Sequence, residues 1–167
     1  MFVIIAAIGQ NRELGYQGNL IWKIKKDQSN FKNTTLGKKI LMGRKTYESL
    51  PKKPLLGRNT IIVSKNNNYS SDLVETISDV SSFINQNKNT DEKIYICGGA
   101  KIYETFLPFC KQMLITEINA SFEHADTFFP MFNKEDWNTN VLYKGCDLDY
   151  YSKKFLNFRI VEYSKHK

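Results

Sequence analysis

The sequence predicts an α/β fold: a mostly parallel twisted sheet, flanked by helices, that ends in an antiparallel C-terminal hairpin. Short apolar runs alternate with segments of helical spacing over the first two thirds of the chain, as in βαβ units. The apolar runs are continuous, which is typical of strands covered on both faces. The last third alternates polar and apolar residues instead, which indicates an antiparallel pair. The 167 residues suit one domain that spans positions 1–167.

The individual elements follow in chain order. Apolar runs predict strands at residues 2–8, 40–42, 60–64, 94–97 and 113–118. Helices are predicted at residues 24–34, from Gly43 through Leu50, and from Gly99 to about Phe106. A further helix is predicted to follow Ser78-Asp79, which can serve as its N-terminal caps. Residues 9–23 contain three glycines and are predicted to form a long loop, and the polar stretch 65–72 a surface loop.

Composition restricts the class of protein. The net charge of +7 favours anionic partners, although the cations are dispersed and fit a generic solvated surface equally well. Three distant cysteines favour a reducing cytosol over a disulfide framework. The run at residues 2–8 is too short for a membrane span of about 20 residues. We therefore expect a cytoplasmic monomer that binds no membrane. We also expect no nucleic-acid binding, because the aromatic residues lie mostly in apolar runs.

Two strand-to-helix junctions share one pattern, with glycine between a buried strand and a helix N-terminus. The first contains Gly43 and the second Gly98-Gly99, and each is followed by cations. Free N–H groups at such a terminus attract anions, and glycine lets a phosphate approach the backbone. Neither junction matches a P-loop or G-x-G-x-x-G. Each alone fits a purely structural turn, whereas the pair favours one extended, multiply anionic ligand such as a phosphorylated dinucleotide.

Asp27 is an acid in the middle of a helix face that has apolar residues at both ends. On a helix from Ile24, the residues that share this face are Ile24, Asp27, Gln28 and Phe31. A buried carboxylate needs a partner, and no cation stands at a suitable spacing, so a protonated ligand would supply one. The fork of two carboxylate oxygens suits an amidine-like edge of a heterocycle. The alternative is that Asp27 has no ligand and only interacts favourably with the dipole at the helix N-terminus.

Six blocks of sequence follow one another in a fixed order. They are residues 20–35 with Trp22 and Asp27, 42–50 (MGRKTYESL), 54–59 (PLLGRN), 96–103 (ICGGAKIY), 114–118 (LITEI) and 126–130 (DTFFP). This ordered set resembles the dihydrofolate reductase family over nearly the whole chain. The resemblance implies an oxidoreductase of one-carbon metabolism in which NADPH reduces 7,8-dihydrofolate to tetrahydrofolate, with protonation at N5. Dihydrofolate and antifolate inhibitors are the implied partners.

The resemblance implies roles for four residues around the reacting ring. Asp27 would bind the 2-amino group and N3 side of the pterin and favour protonation of N5. Thr116 would hydrogen-bond Asp27 and a pterin-bound water, Trp22 would close the pocket, and Tyr103 would lie beside the nicotinamide. Burial should raise the pKa of Asp27 and a bound pterin should lower it, and the sequence leaves open which prevails.

The rest of the substrate site is implied in the same way. Arg58 would clamp the glutamate carboxylate of the substrate, a bidentate task that lysine does poorly, with Lys32 assisting. The walls around the pterin and benzoyl rings would be formed by Ile5, Ala6, Gln28, Phe31, Leu50, Leu55 and Cys97.

The resemblance also implies a cofactor site for NADPH. The backbone of Ala7 would hold the nicotinamide carboxamide, and Leu14, Gly15 and Leu20 would lie in the loop that covers it. A turn with a cis peptide between its two glycines would carry the pyrophosphate, formed by Gly98, Gly99, Ala100, Lys101 and Ile102. The adenosine 2′-phosphate would be held by the group Arg44, Lys45, Thr46, Ser64 and Lys65, with Lys101 assisting, and Gly43 at the first junction would also belong to the cofactor site. This cation set favours NADPH over NADH.

Three positions depart from the family pattern. Ile21 stands where a proline often precedes the tryptophan, which predicts a less rigid covering loop. Leu56 replaces the second proline of Pro-x-Pro-Gly-Arg, and Cys97 replaces a larger apolar residue. These departures leave inhibitor sensitivity open.

Two rival functions remain to be weighed. One is a reductase of the same fold that acts on another heterocycle, as in riboflavin synthesis, and Asp27 with Arg58 argues against it. The other is a basic nucleic-acid-binding module, which needs clustered cations interleaved with exposed aromatic residues. The two histidines, His124 and His166, are far apart, and we expect no metal site.

Overall fold

The computed structural model describes residues 1–66, 69 and 71–166. The strands are β1 (Phe2–Ile8), β2 (Glu13–Tyr16), β3 (Asn19–Leu20), β4 (Lys39–Gly43), β5 (Asn59–Val63), β6 (Val74–Ile77), β7 (Ile94–Ile96), β8 (Cys110–Ile118), β9 (Thr127–Phe128), β10 (Trp137–Asp149) and β11 (Lys154–Lys165). The helices are α1 (Lys25–Thr35), α2 (Arg44–Ser49), α3 (Val80–Asn87) and α4 (Ala100–Phe106), with single 3-10 turns at Leu107–Phe109 and Lys134–Asp136.

Eight strands form the main sheet, in the order β10-β11-β8-β1-β7-β4-β5-β6. All neighbours from β8 to β6 pair in parallel, whereas β11 is antiparallel to both β8 and β10. The predicted α/β fold, with its mostly parallel sheet and antiparallel C-terminal hairpin, is confirmed. The carboxyl ends of β1, β4, β7 and β8 meet at one edge of the sheet, which is where ligands bind in such folds.

Strand β1 explains the continuous apolar runs. Successive side chains of a strand point to opposite faces of the sheet. Phe2 and Ile4 belong to a core cluster that also contains Phe106. Val3 and Ile5 belong to a second cluster on the other face. Burial on both faces therefore removes the polar alternation that a half-exposed strand would show.

Residues 9–23 are more ordered than the predicted loop, because they contain the hairpin of β2 and β3. Gln17 and Gly18 connect the two strands, and both have positive φ angles of 48° and 78°, as a two-residue hairpin turn requires. Strand β9 pairs with β2 to complete a small three-stranded sheet. We keep the name covering loop for residues 9–23.

Other predicted elements differ less. Helix α1 begins one residue later than predicted, because Ile24 has an extended backbone and acts as its N-cap. Asp79 caps α3 as predicted, its side chain accepting a 2.9 Å hydrogen bond from the Ser82 amide. Strand β6 was not predicted, and positions 67, 68 and 70 of the predicted loop at 65–72 lie outside the described residues. No described helix has the length and apolar character needed to cross a membrane.

Candidate active site

Asp27 and Thr116 meet at the carboxyl edge of the sheet. Thr116 Oγ1 donates a 2.6 Å hydrogen bond to Asp27 Oδ1. Thr116 is buried on β8, where it pairs in register with Ala7 of β1, and Asp27 extends from the first turn of α1. The two residues were predicted to interact, and the structure brings them together across 89 positions of sequence.

The Asp27 carboxylate is short of partners. Among the described residues no lysine, arginine or histidine forms an ion pair with it, and its Oδ2 atom accepts no hydrogen bond. Burial raises the pKa of Asp27, and the hydrogen bond from Thr116 opposes that rise only in part. The group is therefore suited to hold a proton, or to accept N–H bonds from a protonated heterocycle through its second oxygen.

This burial predicts that Asp27→Asn stabilises the ligand-free protein at neutral pH. A folded-state pKa above the unfolded value means that wild-type stability falls as pH rises through that interval. The asparagine variant carries no such penalty, so its free energy of unfolding should exceed the wild-type value at pH 7. The difference should shrink as pH falls and be smallest at about pH 3, below the ordinary pKa of 3.8 and the raised one. Urea unfolding at the two pH values measures it.

Asp149 provides a control of opposite sign. Burial favours a higher pKa for Asp149, but hydrogen bonds led by the Lys23 amide outweigh it and lower the pKa overall. Asp149→Asn should therefore be destabilising at pH 7, with a loss that shrinks as pH falls. If both asparagine variants lose stability at pH 7, the destabilising burial assigned to Asp27 is contradicted.

An apolar cluster contains Phe31, which lies one helical turn after Asp27 on α1. Partly buried Phe31, Leu50, Leu55 and Cys97 pack in one cluster with Ile5, as expected of residues that share a wall. Ala6 belongs to the core cluster on the opposite face, so its side chain does not join this wall. Gln28 and Lys32 are exposed at the rim. Burial raises the pKa of the Cys97 thiol to about 12, against the opposing charge of Arg58.

Arg58 is a buried cation without a described acid. It is 8% exposed, and its guanidinium donates to the Leu56 carbonyl at 2.8 Å, to Thr35 Oγ1 at 3.2 Å and to the Lys32 carbonyl at 3.4 Å. These three neutral acceptors fix its orientation but leave its charge uncompensated. A buried, oriented guanidinium favours an anionic ligand, and a carboxylate matches its planar fork.

The two glycine junctions lie side by side. The Gly43 amide donates a 2.8 Å hydrogen bond to the Gly98 carbonyl, and the Gly98–Gly99 peptide is cis, as the family resemblance implied. Gly98 has φ of +99°, and a Cβ there would lie 3.0 Å from the Tyr103 ring. The buried Tyr103 hydroxyl donates to the Ile5 carbonyl at 2.8 Å. Any residue other than glycine would therefore be both strained and crowded at position 98.

The cations near these junctions differ in their availability. Arg44 forms an ion pair with Glu48 at 3.0 Å, and Lys101 forms one with Glu104 at 2.7 Å, so two predicted phosphate ligands are already paired. Lys45 and Lys65 are exposed and form no ion pair with any described residue. Thr46 and the buried Ser64 lie in the same part of the sheet edge, following β4 and β5.

Three acids that the sequence analysis did not single out hold the covering loop. Glu13, which is 2% exposed, accepts hydrogen bonds from the Asn11 amide at 2.8 Å and from the Phe122 amide at 3.1 Å. Asp126 accepts from the Gln17 amide at 2.8 Å, and Asp149 from the Lys23 amide at 2.7 Å. No sequence signal marked them, because carboxylates that accept backbone amides depend on contacts between segments distant in sequence.

The predicted residues of the covering loop have different surroundings. Leu14 packs against the core, and Trp22 packs in a small cluster that also contains Ala7. Gly15 has its carbonyl bonded to the Asp126 amide at 3.2 Å, and Leu20 is 68% exposed. An exposed leucine at the tip of a hairpin is free to cover a ligand.

The histidines do not assemble a metal site. Within residues 1–66, 69 and 71–166, no group of three or more His, Cys, Asp or Glu side chains could hold a metal ion. His124 instead packs against the rings of Tyr16 and Phe122.

Comparison with known proteins gives a consistent result. The family model described as dihydrofolate reductase matches residues 1–164. The chain is 39% identical to dihydrofolate reductase of Neisseria gonorrhoeae over 134 residues, which is 80% of this chain and 82% of that protein. It is 35% identical to dihydrofolate reductase of Mycoplasma genitalium over 161 residues, which is 92% of this chain and 99% of that protein.

A solved structure of the same fold illustrates the similarity. It is dihydrofolate reductase from Enterococcus faecalis, complexed with NADP(H) and RAB-propyl. The TM-score is 0.82 at 24% identity, and the match covers 100% of this chain and 97% of that one.

Proposed function

The chain belongs to the dihydrofolate reductase family, and on that premise we infer that it is an oxidoreductase that reduces 7,8-dihydrofolate to 5,6,7,8-tetrahydrofolate with NADPH. The observation that carries this inference is Asp27, a carboxylate bonded to Thr116 with one oxygen left for a ligand. A pterin presents a ring N–H and an amino group side by side, which is the edge that such a carboxylate can bind.

Asp27 would anchor the pterin and control its proton. Its Oδ2 atom, together with the Oδ1 atom that accepts from Thr116, would face the 2-amino and N3 side of the ring. The raised pKa of Asp27 lets this group hold a proton at a higher pH than a solvated aspartate would, and N5 would be protonated from it through water. Trp22, which packs in a cluster with Ala7 and Ile24, would close the pocket beside this group and exclude bulk water, which would strengthen these interactions.

Arg58 would bind the glutamate end of the substrate. Its guanidinium is already oriented by three neutral acceptors, so little conformational entropy is lost when a carboxylate arrives. The benzoyl ring would lie along the wall that Phe31, Leu50 and Leu55 form, with Lys32 and Gln28 at the rim. The pocket thereby combines a proton-side anchor with a carboxylate clamp, which suits a pterin joined to glutamate.

The residues present fit NADPH, which when bound supplies the hydride. Crowding at Gly98 by the Tyr103 ring supports close backbone contact with a pyrophosphate in the 98–102 turn. Ala7, with the covering-loop residues Leu14, Gly15 and Leu20, would hold and cover the nicotinamide. The 2′-phosphate would be bound by Lys45, Thr46, Ser64 and Lys65, with Gly43 and Arg44 beside them. Because Arg44 and Lys101 have acidic partners, we place most of the charge on Lys45 and Lys65.

This assignment predicts that Lys45→Gln weakens the binding of NADPH and leaves the binding of NADH unchanged. Loss of one charged hydrogen bond at an exposed site should raise the KM for NADPH roughly 5- to 10-fold. The KM for NADH, which lacks the 2′-phosphate, should not change. Steady-state assays with both cofactors measure the ratio, with Lys88→Gln, at the C-cap of α3, as a matched control. An equal rise for NADH would remove Lys45 from the phosphate site.

The function itself is tested by following the absorbance of NADPH in the presence of 7,8-dihydrofolate. We expect consumption of one NADPH for each tetrahydrofolate formed, and inhibition by antifolates that present an amidine-like edge to Asp27. Oxidation of NADPH only with another heterocycle, such as a riboflavin precursor, would point to the rival reductase. No oxidation together with salt-sensitive DNA binding would point to the nucleic-acid module.

The remaining expectations are proposals of the same kind. The main sheet contains both the first strand, β1, and the last strand, β11, which supports residues 1–167 acting as a single domain. Cys97, Cys110 and Cys146 are all free thiols, which supports a reducing cytoplasm. A monomer is proposed because each of the predicted site residues comes from this chain.

A further inference from the structure

A groove of about 990 Å³ lies on the face of the sheet opposite Asp27. Thr116 and Glu117 are successive residues of β8, so they point to opposite faces. Thr116 faces Asp27, and Glu117 lines the groove. Asp27, Arg58 and the residues of both glycine junctions are absent from its lining, so the groove is separate from the proposed catalytic pocket.

The floor of the groove is a row of charged residues across three strands. Glu117 of β8 is opposite Arg159 of β11, which is opposite Lys144 of β10. Directly opposite residues of antiparallel strands share a face, so these three side chains lie together. The 3-10 turn contributes Lys134 to one wall, and the start of the covering loop contributes Arg12 to the other.

The charges in this groove do not balance. Its described lining contains four cations and one acid, Glu117. The Glu117 carboxylate is already occupied, since Arg159 Nε lies 2.6 Å from one oxygen, while the other accepts from the Tyr163 hydroxyl and lies 3.9 Å from Lys134 Nζ. Lys144 and the terminal nitrogens of Arg159 make no hydrogen bond with any described residue. A net charge of +3 therefore faces a single concave surface.

Neutral groups complete the lining. The amide side chains of Gln10, Asn119 and Asn157 lie beside the cations and can donate to further oxygens. Met131, which is 80% exposed, and Phe132 provide an apolar wall. Cations, amide donors and one apolar wall in a concave surface match a small organic molecule with several anionic oxygens.

We propose that this groove, built on Lys144, Arg159 and Lys134, binds a small multiply charged anion, either a phosphate ester or a polycarboxylate. A single charge would leave the cations uncompensated, whereas two or more anionic groups match the excess of +3. Arg159 presents a planar fork to such a group, and Lys144 and Lys134 add point charges on either side. The site requires neither dihydrofolate nor NADPH.

The test is a titration of ¹⁵N-labelled protein with inorganic pyrophosphate and, separately, with citrate, at fixed ionic strength. We expect chemical shift changes at the amides of Gly145, Asn157 and Arg159 with at least one probe. The double variant Lys144→Gln/Arg159→Gln should weaken that binding at least tenfold. Lys111→Gln, an exposed lysine of β8 outside the groove, should bind as the wild type does.

The outcomes separate the possible ligand sources. Binding of pyrophosphate alone identifies a phosphorylated ligand, and binding of citrate alone identifies a carboxylated one. Binding of both probes supports a site that recognises multiple anionic oxygens of either kind. Because Arg159 contacts Glu117, the double variant could lose its fold, so the single variant Lys144→Gln, at an exposed side chain, should still weaken binding about threefold. Shifts confined to the glycine junctions, no shifts with either probe, or equal affinity in Lys144→Gln would overturn the proposal.

Discussion

Asp27→Asn should lower kcat/KM for dihydrofolate by about 10²- to 10³-fold at pH 7, within the range that general acid catalysis contributes. Asparagine keeps the shape of the side chain and an oxygen that can accept from Thr116, but it cannot hold the proton that N5 requires. Stopped-flow measurement of NADPH oxidation against pH gives the rate directly.

The pH profile separates the proton role from simple loss of binding. Because the wild-type enzyme needs a proton associated with Asp27, its rate should fall as pH rises through the raised pKa of that group. The asparagine variant should recover part of its rate at low pH, where the substrate binds already protonated. Asp79→Asn, which removes a carboxylate that only caps α3, should behave as the wild type. A flat profile for Asp27→Asn at wild-type rate would end the assignment.

Arg58→Lys should abolish most of the preference for a substrate that carries glutamate. The wild-type enzyme is expected to lose about 10- to 100-fold in kcat/KM when the glutamate is removed from dihydrofolate, the value of a charged bidentate contact. Lysine keeps the positive charge but cannot form the bidentate contact. Removing the glutamate from dihydrofolate should therefore lower kcat/KM of the variant far less than that of the wild type.

The comparison is made between two substrates within one variant, so a partial loss of folded protein cancels. Lys32→Gln at the exposed rim serves as the companion variant, and its effect on the truncation ratio should be small because an exposed pair is screened by solvent. An unchanged truncation ratio in Arg58→Lys would show that the glutamate binds elsewhere.

The sequence predicted the sheet well because its strands are buried on both faces. Strand β1 has no polar residue to obscure its run, whereas β6 is four residues long and contains Glu75 and Thr76, so its pattern was too short to detect. The covering-loop hairpin was missed because its order depends on the turn at Gln17-Gly18 and on pairing with β9, which is distant in sequence.

The site was predictable to different degrees. Asp27 was visible as an acid between apolar residues of one helix face, and the family resemblance supplied its bond to Thr116. The acids that hold the covering loop were not visible, because Glu13 and Asp149 bind backbone amides 109 and 126 positions away. The pairing of Arg44 with Glu48 was accessible in principle, since residues four apart on a helix are neighbours.

An inhibitor that carries an electrophilic warhead would find a poor target in Cys97. The thiolate is the reactive form of cysteine, and with a pKa of about 12 only a minute fraction of Cys97 is ionised at neutral pH. Cys146 is exposed on β10, so alkylating reagents would modify that distant thiol first. Selectivity toward this enzyme is therefore better sought in reversible ligands that fill the space beside Cys97 than in covalent capture.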